Sequence, residues 1–170
     1  MIEIEVNDKL SPGLTRLIVG LRSVQPLMRM LAGSMASITE ANFAAQGRPR
    51  WLGLKYPRRK KNAEAKILQD SGHLAASVTA DHDATSAWIG SHLPYAAIHQ
   101  MGGTTGAHVI LPRNKKALAF NGRVVKRVNH PGSKIPARPY LPFTPDGRLQ
   151  AEAITAIEGD VQAYLRSLVK

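Results

Sequence analysis

The chain has 170 residues, 23 Lys and Arg against 12 Asp and Glu, a formal net charge of +11, 44% hydrophobic residues and no cysteine. That length suits one domain, residues 1–170, with a core that needs neither disulfide nor metal. Zero cysteine excludes disulfide frameworks, Cys-ligated zinc or iron–sulfur sites and a thiol nucleophile.

Ile2, Ile4 and Val6 alternate with Glu3 and Glu5, which predicts a short N-terminal strand. This acidic start lacks the basic-then-apolar order of a signal peptide, and no apolar run approaches the ~18 residues of a membrane span. The expectation is a soluble protein made in a cytoplasm, with no membrane partner.

Ser11-Pro12 opens a helix, with Ser11 as N-cap and Leu14, Leu17, Ile18, Leu21 and Val24 as its apolar stripe. Pro26 breaks the pattern, and the stripe resumes through Leu27, Leu31, Met35, Ile38 and Phe43. Two helices, about 12–24 and 26–46, are predicted. A basic loop or arm follows over 47–66. Asp70 or Ser71 caps a short helix that includes Leu74. Residues 77–81 and 84–90 form a hairpin, and 93–101 a helical turn or two ended by Gly102-Gly103. Residues 109–111, 117–120 and 124–128 are short strands, with Asn121-Gly122 as a type I′ turn. The stretch 129–145 is extended, and a helix closes the chain over about 147–169. The expected fold is α+β: an N-terminal strand and helices, an antiparallel sheet of short strands with long loops, and a C-terminal helix packed on the sheet.

Chemistry is thin. The six histidines show no i, i+4 pair with a glutamate, and no metal is expected. Asp70-Ser71-Gly72-His73 is a local helix start rather than a triad, whose members converge from separate elements. Gly102–Gly106 lacks the Gly-Lys-Ser/Thr ending of a phosphate loop and reads as a flexible connection. Carboxylates are few and scattered. No enzyme activity and no cofactor are expected.

Charge is more informative. Residues 48–66 carry +7, including Arg58, Arg59, Lys60 and Lys61. Residues 113–138 carry +8 with no acid, including Arg113, Lys115, Lys116, Arg123, Lys126 and Arg127. Everything else sums to −4. Both basic segments are rich in Pro and Gly, so they read as a loop and a hairpin arm, either solvated or touching DNA or an acidic neighbour.

Three segments then stand out in order. They are Ile67-Leu68-Gln69-Asp70-Ser71-Gly72-His73-Leu74, Tyr95-Ala96-Ala97-Ile98-His99-Gln100-Met101-Gly102-Gly103 and Ile135-Pro136-Ala137-Arg138-Pro139-Tyr140-Leu141. With them the chain resembles the Mu-like phage virion morphogenesis proteins, a family also described as tail completion or head–tail joining. Met101 stands where the family often has an aromatic, and Tyr140 where Phe is common. The resemblance implies a non-enzymatic virion component of the neck or tail end. It implies a ring, commonly hexameric, that terminates the tail or docks it to the head connector. The partners it implies are further copies, neighbouring neck and tail-tube proteins, and genomic DNA in the lumen. The motif residues carry physical expectations too. Gly72 allows close passage of a neighbour, and Tyr95, Ile98 and His99 share a helical face. His99 is a hydrogen-bonded structural histidine. The Pro136–Pro139 step holds Arg138 stiffly, either toward a neighbour's carboxylate or bracing its own fold.

Overall fold

The computed structural model describes residues 10–54, 66–113, 116–120 and 122–169. The strand expected at Ile2–Val6 lies outside these residues, as do Arg58, Arg59, Lys60, Lys61, Lys115 and Asn121.

Helix α1 spans Leu10–Gly20 and α2 spans Gln25–Ala45. Ser11 is therefore inside α1, where its carbonyl accepts the Thr15 hydroxyl, rather than at its cap. The break falls at 21–24, and Pro26 sits in the first turn of α2, where a missing N–H costs nothing. Helix α2 ends on Gln46 in the left-handed conformation, with the Gly47 N–H donating to the Asn42 carbonyl.

Strands β1 (Val78–His82) and β2 (Ala87–Ser91) form an antiparallel hairpin in which Val78 faces Ser91 and His82 faces Ala87. Its turn is built by Asp83, whose Oδ1 accepts the N–H groups of Thr85 and Ser86 at 2.8 and 2.7 Å. Those two donors hold the Asp83 carboxyl below the usual carboxylate range. The hairpin packs on α2, and the C-terminal helix α5 (Ala151–Val169) packs on α2 and α1. The fold is α+β, with helices at both ends and short antiparallel strands between.

A short helix α3 (His73–Ala76) precedes the hairpin. Its N-cap position is held by Gly72, at φ 75°, so the cap predicted at Asp70 or Ser71 is not formed there. Among the described residues nothing lies within 4 Å of where a Gly72 Cβ would stand, and its left-handed backbone is reason enough for a glycine. Helix α4 spans Ala96–Met101, shorter than predicted, because Leu93 to Tyr95 form a turn before it.

From Gly103 the chain runs out and back as a ribbon. Strand β3 (Gly103–Thr104) pairs with β8 (Lys134–Ile135), β4 (His108–Ile110) with β7 (Val128–His130), and β5 (Leu118–Phe120) with β6 (Arg123–Val125). The strands therefore form separate two-stranded pairs, since each strand of the ribbon meets its own return strand. Two expectations change here. Gly102–Gly106 is no loose connection, because β3 is tied to the return strand through Thr105 and Ser133. The strand predicted over 124–128 breaks at Lys126-Arg127, because the register changes there, from Leu118 facing Val125 to Ile110 facing Val128.

The core gathers Phe43, Trp51, Leu74, Ala96 and Tyr140, with Ile67, Leu68, Val78, Leu93 and Leu141 against it. Phe43 meets Trp51 edge-on at 6.0 Å and lies 5.3 Å from Tyr140. Residues 144–150 form a tight turn closed by Thr144 and Arg148, which delays the last helix to Ala151.

Candidate assembly interfaces

The third motif, Ile135 to Leu141, is an irregular segment crossing the core, so its backbone polar groups need partners. Side chains supply them. The Oε1 of Gln100 accepts the N–H groups of Tyr140 and Leu141, each at 3.0 Å, and its Nε2 donates to the Phe143 carbonyl at 2.8 Å. From α2, the Asn42 Nδ2 donates to the Tyr140 carbonyl at 3.1 Å and to the Gln150 Oε1 at 2.9 Å. The Asn42 Oδ1 accepts from the Arg48 guanidinium at 2.9 Å. The indole N–H of Trp51 donates to the Pro139 carbonyl at 3.1 Å.

Arg138 resolves its two expectations by geometry. It is buried, and its guanidinium donates to the carbonyls of Leu52 and Gly53 at 3.1–3.2 Å. Its own N–H donates to the His99 carbonyl at 2.7 Å. It braces residues 52–53 against α4. Gly102 ends α4 at φ 73°, and a Cβ there would stand 2.7 Å from the Ala137 nitrogen, so two motifs touch through it.

The motifs also share a surface. Asp70, Ser71 and Leu74 from the first, Tyr95 and His99 from the second and Arg138 from the third line one cleft of about 350 Å³. Tyr95 is half exposed and meets the His99 ring edge-on at 6.0 Å. The Nδ1 of His99 is buried with no hydrogen-bond partner among the described residues, unlike the satisfied histidine expected. Ile98 packs beside Gly103. Pro136 lines the neighbouring hollow with Leu52, Leu54 and Lys134.

Burial, and then the positive charge of Arg138, hold the His99 imidazole below its usual pKa. The unfolded chain therefore takes up this proton first. The contribution of neutral His99 is complete above the unfolded pKa of about 6.5 and declines as pH falls through that value toward the folded one. His99→Gln removes the titration. Thermal melts at pH about 7.5 and about 5.5 should show a smaller acid loss of Tm in the variant than in the parent. Equal losses would clear His99 of any part in it.

The ribbon collects the second basic segment. Arg113 and Lys116 lie on the outgoing side, between β4 and β5, and Lys126 and Arg127 on the return, between β6 and β7. Arg123 lies next to the tip and Lys134 near the base. None of these six makes an ion pair among the described residues. His108 and His130 face each other across the ladder and stack at 5.0 Å. Val109, Leu111 and Val124 are exposed.

Helices α1 and α5 form a groove lined by Leu17, Leu165, Arg166 and Val169. The Tyr164 hydroxyl fastens this pair of helices by bonding the carbonyls of Gly20 and Ser23.

Sequence reasoning missed Asn42, Arg48, Trp51 and Gln150. Asn42 had a signal: it lies four residues after Ile38, on the apolar stripe, where a polar group is retained only with partners.

The buried polar groups hold backbone, while exposed charge and apolar side chains are carried by the ribbon and by the α1–α5 pair. The chain belongs to the phage virion morphogenesis family, which it matches over residues 6–165. It is 37% identical over 172 residues to the Mu-like prophage FluMu G protein 2 of Haemophilus influenzae, covering the whole of both chains. It is 31% identical over 149 residues to a protein of Escherichia phage Mu provisionally named capsid assembly protein G, covering 81% of this chain and 80% of that one. No solved structure matches significantly. The chain is thus a phage morphogenesis protein with a structural role.

Proposed function

We propose that this protein forms an oligomeric ring, hexameric in the first instance, at the neck or tail end of the virion. The ring completes or terminates the tail and joins it to the head connector. Its action is stoichiometric contact with neck and tail-tube proteins, not catalysis. The observation that carries this reading is the match to a virion morphogenesis family along almost the entire chain, motifs included. The projecting ribbon supports it, since a subunit that must reach a neighbour needs an extension. The test is deletion of the gene in a producing phage. Unjoined heads and tails, rescued by the supplied protein, are the expected result, and normal joined particles would refute it.

The acid-free ribbon favours a second reading, a basic DNA-binding or DNA-packaging accessory protein. Binding to duplex DNA would then weaken with salt at a slope near −0.9 per phosphate neutralised. A flat salt titration would dispose of it.

A further inference from the structure

Two surfaces of the chain stand open, and they complement each other. The first is the ribbon. Among the described residues the main contacts of strands β4 to β7 are with each other, and an isolated two-stranded ribbon is marginal in water. This one also leaves Val109, Leu111 and Val124 at 54%, 62% and 72% exposure. Residues 103–135 hold seven Lys and Arg and no Asp or Glu. The second surface is the α1–α5 face. Its groove is lined by Leu17, Leu165 and Val169 with Arg166 beside them, and the first half of α5 carries the exposed Glu152 and Glu158 with no Lys or Arg between 149 and 165.

We infer that the ribbon of one copy lies across the α1–α5 face of the next copy. Its exposed apolar side chains enter the groove at Leu17, Leu165 and Val169, and its cations lie along the acidic half of α5. This rests on the ring reading and names the contact that would build the ring. A second copy is the occupant because one contact then covers the apolar side chains of both surfaces and sets ribbon cations beside Glu152 and Glu158. A polyanion would engage the cations but leave Val109, Leu111, Val124 and the groove in water. The two halves of the contact are different patches of the same chain. Such a head-to-tail contact repeats from copy to copy and closes into a ring when the rotation allows.

The chain has no native cysteine, so introduced ones report cleanly. Full-length Leu111→Cys and Leu165→Cys proteins would be oxidised separately, mixed, and combined in one chain. The expected result is a disulfide-linked dimer in the mixture that is absent from either protein alone. The doubly substituted chain should give a ladder of linked oligomers. Independently, Glu152→Lys with Glu158→Lys should abolish the oligomer seen by native mass spectrometry while the far-UV spectrum and Tm are retained. If oligomers form as in the parent but no mixed dimer appears and charge reversal changes nothing, the ribbon contact is wrong and the ring reading stands. If the parent is monomeric at every concentration, both fall. If ribbon charge reversal at Lys126 and Arg127 removes binding to a duplex oligonucleotide yet leaves the oligomer intact, the ribbon serves a polyanion and the proposal is overturned.

Discussion

Gln100→Leu should leave the chain unfolded or close to it at 37 °C. The side chain is 8% exposed and makes three hydrogen bonds to the segment 140–143. Leucine fills nearly the same volume and adds apolar burial, so the substitution tests hydrogen bonding rather than packing. It strands two N–H groups and one carbonyl where water has little access. Each costs about 1–3 kcal/mol, so a loss of about 3–9 kcal/mol is expected against a total stability of about 5–15 kcal/mol. Denaturant melts measure it. Gln100→Glu is the informative companion. It keeps both acceptor contacts to Tyr140 and Leu141 but turns the Phe143 contact into a repulsion, so its loss should be intermediate at neutral pH and smaller in mild acid. A Gln100→Leu protein within about 1 kcal/mol of the parent would mean that water replaces the amide, and the clamp would lose its meaning.

The clamp also shows what was legible in advance. The three motifs could be read off the chain, and the structure brings all three to one cleft and one buried node. The long helices were legible because α2 and α5 repeat their apolar residues over several turns, enough for the period to emerge. Near the tip the pairing that Asn121-Gly122 predicts is present, Phe120 with Arg123, while Asn121 itself lies outside the described residues. The strands expected at 109–111 and 117–120 are present as β4 and β5, but β3, β7, β8 and the pairing of the ribbon were not legible. Its strands run two or three residues each, too short to show alternation, and their pairing is decided by partners far along the chain. Asn42 was obscure for the same reason. Its partners, Tyr140 and Gln150, lie 98 and 108 residues away, and nothing local says that a carbonyl waits there. Gly72 was legible as a glycine position but not the left-handed backbone before α3 that it supplies.

Tyr140 separates packing from hydrogen bonding in the opposite sense to Gln100. It is 1% exposed, stacks near Phe43 and fills the centre of the core. Burial pushes its hydroxyl above the usual phenol range, so it stays neutral throughout the working pH range. Tyr140→Ala removes the ring and leaves a cavity bounded by Phe43 and Ala96, with an expected loss of about 3–5 kcal/mol. Tyr140→Phe removes only an oxygen whose contact to the Ala96 carbonyl is long, at 3.5 Å. A bond of that length contributes little, so the phenylalanine chain should match the parent within about 0.5 kcal/mol. This fits the family resemblance, in which phenylalanine is common at the position. Denaturant unfolding of the two variants side by side decides the matter. A large loss in Tyr140→Phe would mean that the hydroxyl anchors α4 to the third motif. A small loss in Tyr140→Ala would mean that the segment is held by Asn42, Gln100 and Trp51 alone, and that the aromatic cluster is incidental to the fold.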